Sequence, residues 1–388
     1  MNNRKKILLL TLVNPDFLPP VYAVAQVLRD LGFDVHVLTF DSFVPAEFDV
    51  GKNITIEPMG RHYDAGLIKR LVLRHKFFKR AKELVSGGPI SIITFCPFSF
   101  QCGLKIKKNI PLIYITLEMA DFKFPQFFRS PLSNYRNFLA LKNIHKADLI
   151  ATPSIQRSAW LAGRCHLGNM PYTVLNTVYL KKEENSYDTF KALIPLELLD
   201  KKFVVYTGAV NSDLCTMELV RAFDLVDDPG SALIITGLKD DEYSADIKKF
   251  VSNCRSQKRI TLFPYLTRNQ MIALQSNSHI GACLIRESQN NVKSKMIAPN
   301  KVGEYMSRDL YILGIQTDYL RPFEIKGLAS LANTPTPRDI SKALRRALQT
   351  INDNGYKEKI KTFVQEEFCM QQQLEPVIRF INETVSIS

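Results

Sequence analysis

Four side chains able to hold a charged ligand stand together in CLIRESQNNVKSKMIAPNKVGEYM, residues 283–306: Asn300, Lys301, Glu304 and Tyr305. They follow Pro299, and proline suits a helix start, where its missing N–H leaves no bond unmade. Lys301 and Glu304 are three residues apart, so the spacing predicts one helical face. Upstream, HIGACLI (279–285) reads as a buried strand, and a polar loop runs from Arg286 to Lys295. A strand, a polar loop and a helix start bearing both charges suit a phosphate-bearing ligand. The plain alternative is a surface helix with an ordinary i, i+3 ion pair. A second group, Tyr206, Thr207 and Gly208, ends another apolar run. Gly208 would let the backbone approach a ligand closely.

The elements that must position these groups alternate along the chain. Strands are expected at 7–13, 33–40, 54–59, 90–95, 111–116 and 148–153, with helices between them. Ser154 is a helix cap by type and place. Near Asn176 the pattern breaks, and the charged stretch from Lys181 to Lys202 reads as an irregular linker. The alternation resumes with strands at 203–209, 232–236, 260–263, 279–285, 310–313 and 328–332, then a helical tail. Such alternation predicts an α/β fold of two doubly wound, Rossmann-like parallel sheets. Expected divisions are 1–180, 181–202, 203–365 and 366–388. Sheets of this kind bind ligands at the carboxyl ends of their strands.

The chain has 388 residues and a formal net charge of +13, so an acidic partner is expected. The seven cysteines are scattered, with no C-x-x-C pair, which favours reduced thiols in a cytoplasmic protein. No apolar run reaches the ~18 residues of a membrane span. The start, MNNRKKILLLTLVNPDF, reads as a first strand rather than a signal peptide. No D-x-D pair and no clustered histidines are present, so neither a metal nor another cofactor is expected.

APNKVGEYMSRDLYILG resembles the "SPNK…EYM" segment of bacterial GT-B glycosyltransferases, the retaining, family-4-like group. KADLIATPS is similar to that family's last N-domain strand, VVYTGAVNSDLCTMELVRAF to its first C-domain strand and helix, and EEFCMQQQLEPVIRFI to its terminal helix. The resemblance implies two Rossmann-like domains facing across a cleft, with a last helix returning to the first domain. It implies a nucleotide-sugar donor, with Glu304 on the ribose hydroxyls and Lys301 on the diphosphate. Asn300, Thr207, Gly208 and Tyr305 are the further donor-binding candidates. Arg286 is a second phosphate candidate, and Glu118 takes the place where relatives carry a His or acid facing the donor sugar.

Three departures accompany the resemblance. The loop at 209–213 has no basic residue where the family's diphosphate grip usually starts. Met296 stands eight before Glu304, where many relatives have another Glu. The first loop, 14–20, is proline-rich where relatives are glycine-rich, and prolines remove N–H donors.

Between 65 and 85 the chain reads as a basic helix, with Lys69, Arg70, Arg74, Lys76, Lys79, Arg80 and Lys82 beside an apolar stripe of Leu67, Ile68, Leu71, Val72, Phe77, Phe78, Ala81 and Leu84. Packing the stripe inward leaves the charges for an anionic membrane surface or for water. FKFPQFF (122–128) adds aromatics nearby. The expected protein is a hexosyltransferase at the inner face of the membrane. It would act on a lipid-linked or glycan acceptor in surface-polysaccharide assembly. A non-hydrolysing nucleotide-sugar epimerase and a catalytically silent binding protein are the alternatives. Nucleic-acid binding lacks any recognised motif.

Overall fold

The computed structural model describes residues 5–12, 19–40, 52–60, 66–117, 131–180, 187–286, 296–353 and 355–387. The chain divides into two units, Met1–Tyr179 with Phe368–Ser388, and Leu180–Glu367.

The first unit contains β1 (Lys6–Leu10), α1 (Pro19–Asp30), β2 (Asp34–Thr39), β3 (Ile54–Pro58), α2 (Leu67–Ser86), β4 (Ser91–Thr94), α3 (Pro97–Ile106), β5 (Leu112–Ile115), α4 (Pro131–Asn143), β6 (Leu149–Thr152), α5 (Ile155–Cys165) and β7 (Tyr172–Thr173). The strands pair in parallel in the order β3-β2-β1-β4-β5-β6-β7. Ile7, Leu8, Leu9 and Leu10 are all buried, as a strand covered on both faces requires. Ser154 caps α5 by accepting from the Arg157 N–H.

Two cores flank the sheet. One carries Val21, Val24 and Leu28 of α1. The other carries Phe77 and Ala81 of α2, Phe100 of α3 and Ala140 of α4. The last helices, α14 (Met370–Gln373) and α15 (Glu375–Ile387), add Met370, Leu374, Val377 and Ile381 to the first of these cores. The Thr177 hydroxyl donates to the Phe368 carbonyl at 2.6 Å, fixing the point where the chain re-enters this unit.

The second unit contains α6 (Tyr187–Leu193), β8 (Lys202–Tyr206), α7 (Thr216–Val226), β9 (Ser231–Ile235), α8 (Glu242–Val251), β10 (Ile260–Leu262), α9 (Arg268–Ser276), β11 (Ile280–Cys283), α10 (Asn300–Met306), β12 (Tyr311–Ile315), α11 (Arg321–Ile325), β13 (Ala329–Ala332), α12 (Pro337–Thr350) and α13 (Tyr356–Glu366). Its strands run β10-β9-β8-β11-β12-β13, all parallel. Because β9 and β11 lie on opposite sides of β8, the strand order reverses there. A doubly wound sheet opens a ligand crevice at such a reversal, outside the carboxyl ends of the strands.

Two expectations need correction. The stretch read as irregular linker forms α6, whose Phe190 is buried edge-on against Phe203 with ring centroids 5.2 Å apart. The apolar stripe on the basic helix is split: Phe77 and Ala81 are buried, whereas Ile68, Leu71 and Val72 are exposed. A helix turns 100° per residue, so no single face can hold all eight of those side chains.

Candidate functional site at the carboxyl edge of the second sheet

At the reversal, β8 leads into Thr207 and Gly208, and β11 leads to Arg286. Gly208 has φ +114, a conformation open to glycine and strained for other residues. A Cβ on Gly237, after β9, would lie 1.9 Å from the Gly208 carbonyl oxygen, so a side chain there would push this turn aside.

Helix α10 enters the same corner. Lys301 and Glu304 do not pair with each other, as the plain i, i+3 reading had it. The Lys301 ammonium lies 4.1 Å from the Tyr206 ring centroid. A Cβ added to Gly208 would sit 3.7 Å from its Nζ. Among the described residues no carboxylate forms an ion pair with Lys301. Burial favours its neutral form, but Tyr206, Tyr305 and Cys283 around it turn the net shift upward, so it stays a cation. A lysine held charged beside a glycine turn is suited to a phosphate.

Glu304 is buried and accepts from Arg268 Nη1 at 2.5 Å. Burial pushes its pKa up, while Arg268 and Arg308 pull it down and win, leaving the carboxyl below its ordinary value. It is therefore an ionised acceptor with about a tenth of its side chain accessible, 11%. A ligand hydroxyl reaching that remainder would meet a fully charged oxygen.

Tyr305 points the other way. Its ring rests on Gly281 of β11, where a Cβ would come within 2.4 Å of the ring. Its hydroxyl accepts from the Thr207 N–H at 2.9 Å and lies 3.2 Å from the Thr207 hydroxyl. Gln275 of α9 donates to that Thr207 hydroxyl at 3.0 Å. Tyr305 is fully buried, so it braces the end of β8 from behind and is not placed to touch a donor. Thr207 is buried in the same network, Gly208 is partly exposed, and Asn300 is half-buried at the first position of α10.

Arg286 is the exposed candidate, and it is already engaged. Its Nη2 bonds Glu218 Oε1 at 2.6 Å, and its N–H donates to the Asp213 carbonyl. Its charge is shared with α7, so it offers less to a phosphate than Lys301. Glu118, Lys293, Lys295, most of the proline-rich loop and the aromatics at 122–128 lie outside the described residues.

Arg268, Gln275 and Glu218 escape a motif search. A signal for Arg268 was nevertheless present: Thr267-x-x-Gln270 is a capping box, and both of its reciprocal bonds form. The box fixes Arg268 at the first position of a helix that begins at the carboxyl edge of the sheet. Among the described residues no group of His, Cys, Asp and Glu could hold a metal ion.

No family model and no curated protein sequence matches the chain. Solved structures do. A glycosyltransferase from Rickettsia africae matches with TM-score 0.70 at 11% identity, covering 100% of both chains. A sucrose-phosphate synthase from Thermosynechococcus elongatus matches with TM-score 0.71 at 15% identity, covering 99% of this chain and 100% of its own. The Anabaena protein HepE, in complex with UDP and glucose, matches with TM-score 0.68 at 13% identity, over 98% and 100%. At such identities the likeness establishes the architecture: two doubly wound parallel sheets with closing helices, the fold of the GT-B glycosyltransferases.

Proposed function

We propose that the protein is a glycosyltransferase that moves a hexose from a nucleotide-sugar donor to a lipid-linked or glycan acceptor, with retention of configuration. The observation that carries the reading is the corner at the carboxyl ends of β8 and β11. There an ammonium without a carboxylate partner among the described residues, Lys301, faces a glycine turn, and an ionised carboxylate, Glu304, lies three residues further on. A nucleoside diphosphate presents both matching groups, diphosphate and ribose hydroxyls. HepE, of the same fold, is solved with UDP and with UDP-glucose, which supports a uridine donor.

In this reading the second unit binds the donor and the first binds the acceptor. Lys301 offsets charge that accumulates on the leaving diphosphate as the glycosidic bond breaks, a stabilisation that grows toward the transition state. Arg286 assists if a ligand displaces Glu218. Glu118 is proposed as a further catalytic carboxylate. Asn300 and Gly208 line the donor, and Thr207 holds the turn. The proposed setting is surface-polysaccharide assembly on the cytoplasmic face of the membrane, with no cofactor and no metal.

A putative UDP-N-acetylglucosamine 2-epimerase from Listeria monocytogenes shares the fold, with TM-score 0.63 at 12% identity over 99% and 98% of the two chains. One experiment separates the readings. The protein is incubated with UDP- and GDP-sugars, with and without a lipid-linked acceptor, and nucleotide release is followed. Transfer predicts release that depends on acceptor and survives EDTA. Epimerisation predicts a changed sugar nucleotide with no acceptor, and silence predicts binding alone. Activity abolished by EDTA and restored by Mn would overturn the metal-free reading.

A further inference from the structure

The outward face of α2 runs through residues 68, 71, 72, 75, 76, 79 and 82, the spacing of one helical side. It is divided along its length. Its first turns expose Ile68 at 79%, Leu71 at 50% and Val72 at 48%, with Lys69 exposed beside them. The later turns expose His75, Lys76, Lys79 and Lys82. Helix α4 repeats this division, with Tyr135 at 51% and Phe138 at 43% exposed, followed by exposed Lys142.

The two helices lie on one side of the first sheet with α3 between them. Arg74 of α2 and Arg136 of α4 both stand over the ring of Phe98 in α3, at 5.5 and 5.6 Å from its centroid. In a parallel sheet the crossover helices run opposite to the strands, so their first turns lie at the strands' carboxyl edge. The exposed apolar groups of α2 and α4 therefore share that edge, with Lys69 among them, and Lys76, Lys79, Lys82 and Lys142 lie further from it. Across both helices the sole acid is Glu83.

We propose that this α2–α4 face docks on an anionic lipid bilayer, with Ile68, Leu71, Val72, Tyr135 and Phe138 at headgroup depth and the lysines on the lipid phosphates. Charge complementarity selects this occupant. Aliphatic and aromatic groups beside lysines match an interface that is apolar at depth and anionic at its surface. A second copy of the chain would press cations against cations in a two-fold contact. A nucleic acid would leave the aliphatic turns without a partner. The surface deepens the reading of a lipid-linked acceptor and rests on that reading for its role: it would bring the carboxyl edge of the first sheet down to the bilayer.

The test is co-sedimentation of the full chain with vesicles. Phosphatidylcholine vesicles containing roughly a third phosphatidylglycerol should bind it, pure phosphatidylcholine should not, and about 1 M salt should release it. Lys76→Gln/Lys79→Gln/Lys82→Gln should weaken vesicle affinity by roughly tenfold to a hundredfold. Ile68→Ser/Val72→Ser/Phe138→Ser should weaken it several-fold and leave a residue of salt-sensitive binding. Lys248→Gln/Lys249→Gln/Lys258→Gln removes equal charge from exposed sites of the second unit and should change nothing. Equal loss in both lysine triples, no binding at low salt, or a dimer dissolved by Ile68→Asp would overturn the proposal. UDP-glucose calorimetry on the same proteins keeps the readings apart. A wild type that binds vesicles and ignores every sugar nucleotide would sink the donor reading alone.

Discussion

Replacing Glu304 by Gln keeps the side chain's shape and removes its charge. In the folded protein the carboxylate accepts from Arg268 at 2.5 Å, with 11% of its own side chain and 22% of the arginine's accessible. Arg268 can turn toward water when its partner is lost, so the fold should survive. A ribose hydroxyl, by contrast, would lose a charged acceptor. Hydrogen bonds to charged groups contribute ~1.5–3 kcal/mol, so the dissociation constant for UDP should rise about 10- to 150-fold. Uridine should lose the same factor, because both ligands share the ribose. Calorimetry with UDP and with uridine measures both, and a thermal melt checks the fold. Arg268→Ala should act differently. It withdraws the nearest cation and lets the Glu304 pKa rise toward its ordinary value. The destabilisation should stay below the ~3–5 kcal/mol of a fully orphaned buried charge, because Arg308 remains. In the wild type the lowered pKa adds stability that is present above the ordinary carboxylate value and lost as pH falls through the lower folded one. UDP affinity unchanged in a folded Glu304→Gln protein would refute the ribose assignment.

Three further outcomes are expected. Lys301→Ala should cost UDP ~1.5–3 kcal/mol of binding and leave uridine nearly untouched; equal losses would make Lys301 a structural residue. His279 accepts the Phe203 N–H on Nδ1, and burial, with Lys357 and Lys202 near it, pushes its pKa down to about 4. The unfolded chain takes up this proton first as pH falls. The stability held by the neutral ring is therefore complete above about pH 6.5 and declines by up to ~3 kcal/mol toward pH 4, a slope that melts of His279→Gln should lack. Gly281→Ala places a methyl 2.4 Å from the Tyr305 ring, so the melting point should fall by the equivalent of ~1–3 kcal/mol, and UDP affinity should fall as the brace on Thr207 shifts. An unchanged melt would mean that α10 moves freely over β11.

The alternation of apolar runs and helical spacing was enough to predict two doubly wound sheets, because strand and helix periods are written locally. Ser154 as a cap was legible for the same reason: its bond to Arg157 spans three residues. Asn300, Lys301 and Glu304 could be singled out because they are close in sequence. Their partners could not. Arg268 is 36 residues from Glu304, and the Tyr305 hydroxyl meets a Thr207 N–H 98 residues away. Neither separation leaves a periodic trace. The same limit explains α2. Composition showed a basic helix with many apolar groups, but which of them face outward depends on where the sheet lies beneath the helix. The first turn of α6 shows the converse: KKEENSYD hides a helix start, because Phe190 acquires its purpose only against Phe203. Strand order decided the site. The sequence predicts strands that alternate with helices, whereas the reversal at β8 arises from pairing β8 with β11, two strands more than seventy residues apart. Local propensity fixes which segments are strands; burial of both faces under crossover helices fixes their order, and only that order gathers Gly208, Lys301 and Glu304 into one corner.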